Sequence, residues 1–334
     1  MTTAFDEIIA QPIAVRVLTR AVKSGRIANS YLFEGPSGVG KSKAALALAQ
    51  AVICLDKPGA GCGECEVCRR AAEGSHPDVR TFAPRDEGNR NIQVEFLRNE
   101  ILPVAQFAPF EAKAAFLIFP EADVSFPEVH PESANALLKT LEEPRPGVHF
   151  VLLSERPDRL LPTIRSRCQN VRFARLPVAV LERILAEQGV PEAERGPAAA
   201  LADGRADRAL AMAESGTSQA VLERALAIDA SVASRKPGSL VAIAEELARS
   251  DDLELTLETL STFYRDVAAA GLSAPDQALA FRHRAGAIRE RARVVTPAQA
   301  AARVELIRGT VDTFERNANR QSALDALLFG LGQA

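Results

Sequence analysis

The chain has 334 residues, 47% of them apolar, and a formal net charge of −3. That length and apolar content supply two or three cored domains, and the balanced charge excludes any argument for nucleic-acid contact from bulk basicity. No apolar run approaches the ~20 residues of a membrane helix, and Met1 to Glu7 lack the pattern of a signal peptide. A cytoplasmic location and no membrane partner are therefore expected.

From Phe5 to Ser24 the pattern reads as a loop and then an amphipathic helix beginning near Pro12. Tyr31-Leu32-Phe33-Glu34 reads as a short buried strand. The next residues, Gly35-Pro36-Ser37-Gly38-Val39-Gly40-Lys41-Ser42, spell G-x-x-x-x-G-K-S, and Lys43 to Val52 has helix formers at helical apolar spacing. Strand, glycine-rich loop and helix is the context of a phosphate-binding loop. Glycines let backbone N–H groups turn inward around phosphate oxygens, and the helix N-terminus adds its positive end. Gly35, Gly38, Gly40, Lys41 and Ser42 are thus the candidate nucleotide-binding residues. Lys41 would meet the β/γ-phosphates and the Ser42 hydroxyl would meet Mg²⁺ of ATP or ADP.

Cys54, Cys62, Cys65 and Cys68 follow with spacing C-x7-C-x2-C-x2-C on a glycine-rich segment. Such a cluster in a cytosolic chain points to metal rather than disulfides. Four thiolates suit a closed, structural Zn²⁺ site with no open position for catalysis. The bland alternative is a set of free thiols. His76 is read as structural, because four cysteines already complete a tetrahedron. Val79 to Phe82 reads as a strand, Asp86 to Asn91 as a polar loop, and Val94 to Leu102 as a helix. Ala114 to Phe119 and His149 to Ser154 are apolar runs of buried-strand length, separated by a helix at Ser133 to Glu143 that Pro144 ends. Leu160 to Cys168 and a last strand at Gln169 to Phe173 close this part. Strands alternating with helices predict an α/β parallel sheet with the phosphate loop at its carboxyl edge.

Beyond Leu176-Pro177 no strand pattern occurs. Val178 to Gln188 and Pro197 to Glu214 read as short helices, and Ser215-Gly216-Thr217-Ser218 breaks this part from a larger Ala/Leu-rich helical region. The most basic segment, Phe281 to Val294, reads as a solvated helix face at a subunit contact in preference to a nucleic-acid patch.

Several blocks now occur in order: the phosphate loop, the four-cysteine module after its helix, Gly74-Ser75-His76-Pro77-Asp78, Asn135-Ala136-Leu137-Leu138-Lys139-Thr140-Leu141-Glu142-Glu143-Pro144, and Ser166-Arg167-Cys168. Together they resemble the bacterial clamp-loader AAA+ subunits of the DNA polymerase III holoenzyme, closely over roughly residues 5 to 215. The resemblance implies three parts. These are an AAA+ P-loop domain at 1–175 with a zinc module at 54–68, a helical lid at 176–216, and an all-α collar for oligomerisation at 217–334. It implies partners too: gamma/tau and delta subunits in a hetero-oligomeric ring, the sliding clamp, and primed DNA within the complex.

Two kinds of member fit, the ATP-hydrolysing gamma/tau type and the non-motor delta-prime type. A hydrolytic AAA+ site needs an Asp after the buried strand to orient the Mg²⁺ shell, then a Glu to polarise water. Aligned on Ala122-Asp123, the Asp position holds Pro120 and the Glu position holds Glu121. This favours the delta-prime type: a member of the polymerase holoenzyme that binds ATP without being an efficient ATPase itself. A zinc-bearing nucleotide kinase is a third reading, and it leaves Ser166-Arg167-Cys168 unexplained. The resemblance also implies that Arg167 is an arginine finger acting in trans on a neighbour's ATP. Arg208 resembles the family's sensor-2 arginine. Their bland alternatives are a salt bridge capping the sheet edge and an ordinary surface arginine.

Overall fold

The computed structural model describes residues 3–84, 91–234, 236–315 and 319–333. The polar loop expected at 86–91 lies, apart from Asn91, outside the described residues. The chain divides into two compact units, Met1–Arg175 and Leu176–Ala334.

The first unit is built on five strands: β1 (Ser30–Glu34), β2 (Val79–Thr81), β3 (Ala115–Phe119), β4 (Val148–Ser154) and β5 (Gln169–Arg172). Their order is β2-β3-β4-β1-β5, with every pairing parallel. β1 lies between β4 and β5, in register Glu34 to Ser154 and Glu34 to Arg172. All residues of β3 and β4 are buried, as strands covered on both faces require.

Alternation along each strand divides the core into two layers. Tyr31, Phe33, Phe116, Ile118, Val151 and Leu153 face the helices Pro12–Lys23 and Lys41–Ile53. Leu32, Leu117, Phe119, Phe150 and Leu152 face Leu137 and Leu141 of the helix Pro131–Glu142, together with Ile164 of the helix Pro162–Arg167. This doubly covered parallel sheet, followed by a unit with no strand among its described residues, is the predicted α/β architecture.

The helix expected at Val94 to Leu102 runs on to Gln106, and its middle, Leu97–Ile101, is π-helical. Pro103 sits just after that turn. It has no N–H to offer the carbonyl four residues back, and a widened turn is one way a helix absorbs the loss.

The segment Gly74-Ser75-His76-Pro77-Asp78 ties the chain after the cysteine module to the loop entering β3. Asp78 accepts from the backbone N–H groups of Phe110, Glu111 and Ala112 at 2.6, 2.9 and 2.8 Å. The Asp78 N–H donates to His76 Nδ1 at 3.1 Å, which puts the imidazole proton on Nε2. That nitrogen lies 3.1 Å from Glu111 Oε1, without the alignment of a hydrogen bond. Burial lowers the His76 pKa and favours the neutral ring. Arg70, from the helix Glu66–Ala72, closes the cluster at 2.8 Å from Glu111.

The second unit is helical throughout its described residues. Pro197 to Glu214, read as one helix, is two: Glu192–Leu201 and Ala206–Ser215. The break comes at Asp203-Gly204, where φ is 51° and 75°. Asp-Gly is a turn signal that the surrounding alanines mask. Pro197 lies inside the first of these helices rather than at its start. One core joins Leu201, Leu222, Ile228, Leu257, Leu260 and Leu328. Within this unit Asp229 accepts from Tyr264 Oη at 2.8 Å and pairs with Arg291 at 2.8 Å, while the Arg303 guanidinium stands 5.1 Å over the Tyr264 ring.

The Asp78 cluster generates the first prediction. Asp78→Ala removes the acceptor of three backbone N–H groups and should lower unfolding free energy by about 2–4 kcal/mol. Urea denaturation of the full chain measures it, and a loss below about 1 kcal/mol would mean that water serves those groups equally well.

Candidate phosphate loop and cysteine cluster

Because every strand runs the same way, the loops that follow strands gather at one edge of the sheet. The phosphate loop leaves β1 at this edge. Gly35 N–H donates to Ser154 O at 3.1 Å, so the loop is anchored to the end of β4. Gly35 has φ of 149°, and a Cβ there would lie 2.4 Å from the carbonyl oxygen of Phe173. Only glycine fits. Gly38 and Gly40 also have positive φ, 66° and 100°. Gly40 is the N-cap of Lys41–Ile53, whose first turn therefore opens on the loop.

Lys41 is buried, and its Nζ donates to the carbonyls of Gly35 and Pro36 at 2.6 Å each. The ammonium thus lies inside its own loop. To meet a phosphate it would exchange carbonyl oxygens for anionic ones, a stronger acceptor for the same donor. Ser42 is exposed at the start of the same helix.

Beyond β3 the chain turns at Pro120, and Glu121 caps the short helix Ala122–Ser125. Asp123 is buried, and its Oδ1 lies 3.3 Å from the N–H of Glu155, which follows β4. Ser154 ends β4, and its carbonyl accepts from Gly35, which opens the phosphate loop, while its buried Oγ meets no partner among the described residues.

The four cysteines converge. Their Sγ atoms all lie within 4.8 Å of one another, with Cys54–Cys62 at 3.6 Å, Cys54–Cys65 at 3.9 Å and Cys62–Cys68 at 3.9 Å. A disulfide needs about 2.0 Å. Thiolates bound at about 2.3 Å to a tetrahedral ion stand about 3.8 Å apart, which is the spacing found. Backbone N–H groups of Lys57, Cys65 and Cys68 point at the sulfurs of Cys54, Cys62 and Cys65 at 3.3, 3.2 and 3.5 Å. The Cys65 N–H is the chief cause that lowers the Cys62 thiol to about 7, while burial raises Cys65 and Cys68. Cys54 terminates the helix of the phosphate loop, so the cluster hangs from that helix.

Arg167 lies at the opposite, amino edge of the sheet, at the end of the helix that leads into β5. It borders a notch of about 440 Å³ whose walls include Asn29, Ser30 and Glu142. Its Nε donates to Glu142 Oε1 at 2.6 Å, its Nη2 pairs with the same oxygen, and its Nη1 donates to Thr163 O at 2.9 Å. The ion pair that the bland reading expects is therefore present.

Arg208 belongs to the second unit, in Ala206–Ser215, where it donates to Glu258 Oε2 at 2.6 Å. Four of the five arginines in the basic segment of that unit pair with acids. Arg282 meets Glu182, Arg284 meets Glu223, Arg289 meets Asp276 and Arg291 meets Asp229. Four arginines so engaged do not form the free positive stripe that a nucleic-acid backbone attracts. Among the described residues no helix is long and apolar enough to cross a membrane.

A family model described as DNA polymerase III, delta subunit, matches residues 10–177. DNA polymerase III subunit delta-prime of Bacillus subtilis is 36% identical over 180 residues, which are 54% of this chain and 52% of that protein. DNA polymerase III subunit tau of the same organism is 32% identical over 270 residues, 77% of this chain and 46% of that protein. The chain spans about half the length of the curated relatives it matches. Among solved structures, a DNA polymerase III gamma subunit-related protein of Thermotoga maritima is similar with a TM-score of 0.41 and 17% identity, covering 94% of this chain and 96% of that one.

The loop geometry makes two glycines unequal. Gly35→Ala combines an unfavourable φ with a clash against backbone and should destabilise the chain by about 3 kcal/mol or more. Gly40→Ala, where a Cβ meets nothing within 4 Å, carries the φ penalty alone, about 1–2 kcal/mol. Guanidinium denaturation of the two variants checks the order, and equal losses would show that Phe173 yields.

Proposed function

Because the chain belongs to the DNA polymerase III delta-subunit family, we propose that it is the delta-prime-type member of a clamp-loader ring in the bacterial cytoplasm. In this reading it holds ATP or ADP with Mg²⁺, hydrolyses it poorly, and supplies Arg167 to the ATP site of an adjacent motor subunit. Its partners are gamma/tau and delta subunits, the sliding clamp, and primed DNA within the complex.

One observation carries the non-motor part. β3 ends at Phe119 and the next residue is Pro120, so the position that should orient the Mg²⁺ shell has no carboxylate. Asp123 is no substitute, since it is buried and bonded to the Glu155 N–H. The loop itself supports binding: Gly38, Gly40 and the first turn of Lys41–Ile53 offer N–H groups, Lys41 a charge and Ser42 a hydroxyl for Mg²⁺. A gamma/tau-type ATPase is the reading that the tau relative would favour, and Pro120 weighs against it.

The division into an AAA+ domain at 1–175, a lid at 176–216 and a collar at 217–334 belongs to the same proposal. Arg208 would serve as the lid's phosphate-sensing arginine, after exchanging Glu258 for the nucleotide. The cysteine cluster would hold one structural Zn²⁺ through Cys54, Cys62, Cys65 and Cys68, cross-linking an insertion too small to form its own core. Its sulfur spacing fits that ion.

This reading makes three predictions. Metal analysis of chain purified without chelator should give about one zinc per chain, lost from the Cys65→Ser, Cys68→Ser double variant. Zinc retained by that variant would remove the site. The isolated chain should bind labelled ATP while turning it over near background, and a motor-like rate would overturn the non-motor reading. In a reconstituted complex Arg167→Ala should cut the clamp- and DNA-stimulated ATPase in part. A trans finger is worth ~10³–10⁵ at its own site, while the remaining sites keep theirs. An unchanged rate with assembly verified would leave Arg167 structural.

A further inference from the structure

We propose that Glu142 is a positioning residue for Arg167, holding the guanidinium so that its end faces outward to a phosphate. The proposal rests on the reading of Arg167 as a finger acting in trans. It starts from an electrostatic oddity. Glu142 is the last residue of Pro131–Glu142 and Glu143 is its C-cap, so two carboxylates sit at the negative end of a helix dipole. Arg167, by contrast, is a cation at the C-terminal end of its own helix, where the dipole favours it. The pairing of Glu142 with Arg167 brings the misplaced anion and the well-placed cation together across two helices.

The donor geometry says what the pair accomplishes. A guanidinium has five N–H groups in a fixed plane: one on Nε and two on each Nη. Glu142 Oε1 accepts from Nε–H and forms an ion pair with Nη2, so the carboxylate lies on the Nε–Nη2 side of the guanidinium. Thr163 O takes one N–H of Nη1. Among the described residues no hydrogen bond is made by Nη2 or by the second N–H of Nη1. These donors are left for oxygens from outside the chain, and phosphate oxygens accept from such donors.

A carboxylate that blocked the finger would engage all of its nitrogens. Glu142 covers the side, and Thr163 fixes the plane from the finger's own helix. The guanidinium side chain is 29% exposed and the Glu142 side chain 48%, so the pair sits at the wall of the notch rather than inside the core. Both groups are held in place before any ligand arrives, which spares the finger the loss of rotamer freedom on meeting its phosphate.

The test uses the full chain reconstituted with the motor and delta subunits, clamp and primed DNA, with ATP as the probe. Four complexes are compared for kcat and for KM of ATP: unaltered, Glu142→Ala, Arg167→Ala, and both together. Glu142→Gln serves as a fifth, keeping shape and one acceptor oxygen without the charge. Subunit stoichiometry and zinc content are checked in each. Glu142→Ala should lower kcat about twofold or more, toward and not below the Arg167→Ala value, with KM unchanged. Glu142→Gln should fall between it and the unaltered complex. The double variant should equal Arg167→Ala alone, because a residue acting through Arg167 has nothing to act on once it is gone. An unaltered rate in Glu142→Ala beside a slow Arg167→Ala overturns the role of Glu142 and leaves the finger standing. Additive losses in the double variant overturn it as well, by showing that Glu142 acts elsewhere. An unaltered rate in Arg167→Ala removes the finger itself, and Glu142's role with it.

Discussion

The parallel pairing of Ser30–Glu34 with strands on both sides is the constraint from which the first unit follows. A parallel sheet has a direction, so each segment that leaves a strand emerges at one edge and each segment that enters a strand arrives at the other. The phosphate loop leaves β1 and is thereby committed to the carboxyl edge. The helix carrying Arg167 enters β5 and is committed to the amino edge. One sheet thus carries the glycine loop at one end and Arg167 at the opposite end.

The carboxyl edge is incomplete in a specific way. It has glycines with the required backbone, a helix N-terminus, a lysine and a hydroxyl, all of which hold anions. What it lacks is a carboxylate at the position directly after β3, where Pro120 stands. Phosphate binding needs positive groups. Hydrolysis needs in addition a carboxylate to orient a metal's water shell. The two requirements are met by different strands, so one can persist when the other is gone.

Charge pairing is the common theme of the remaining surface. Arg284, Arg289 and Arg291 of the second unit each meet an acid, and Asp229 joins a tyrosine and two arginines in one network. This agrees with the near-neutral net charge and argues that the helices use arginine to fasten one another. The cysteine module follows a different logic. It is too short to bury a core of its own, and it gathers four sulfurs to tetrahedral spacing around the end of the helix that carries the phosphate loop.

The sequence by itself determined the strands, the phosphate loop, the cysteine cluster and the missing carboxylate. Each of these is local. Apolar runs of strand length, glycines at fixed offsets and cysteines two residues apart carry their meaning within a dozen positions, and a proline announces the absence of a carboxylate outright. What is not local escaped. The break at Asp203-Gly204 was masked by helix-forming neighbours, and the π-helical turn before Pro103 has no residue signature beyond the proline. Only the tertiary structure decided that Asp78 would bind three backbone groups more than thirty residues away, and that Lys41 would rest on the carbonyls of its own loop. It alone decided that Glu142 would meet Arg167 across twenty-five residues. Hydrogen bonds and ion pairs depend on distances of a few tenths of an ångström between groups that chain order does not bring together. No pattern along the chain encodes them, because packing of the two core layers sets them last.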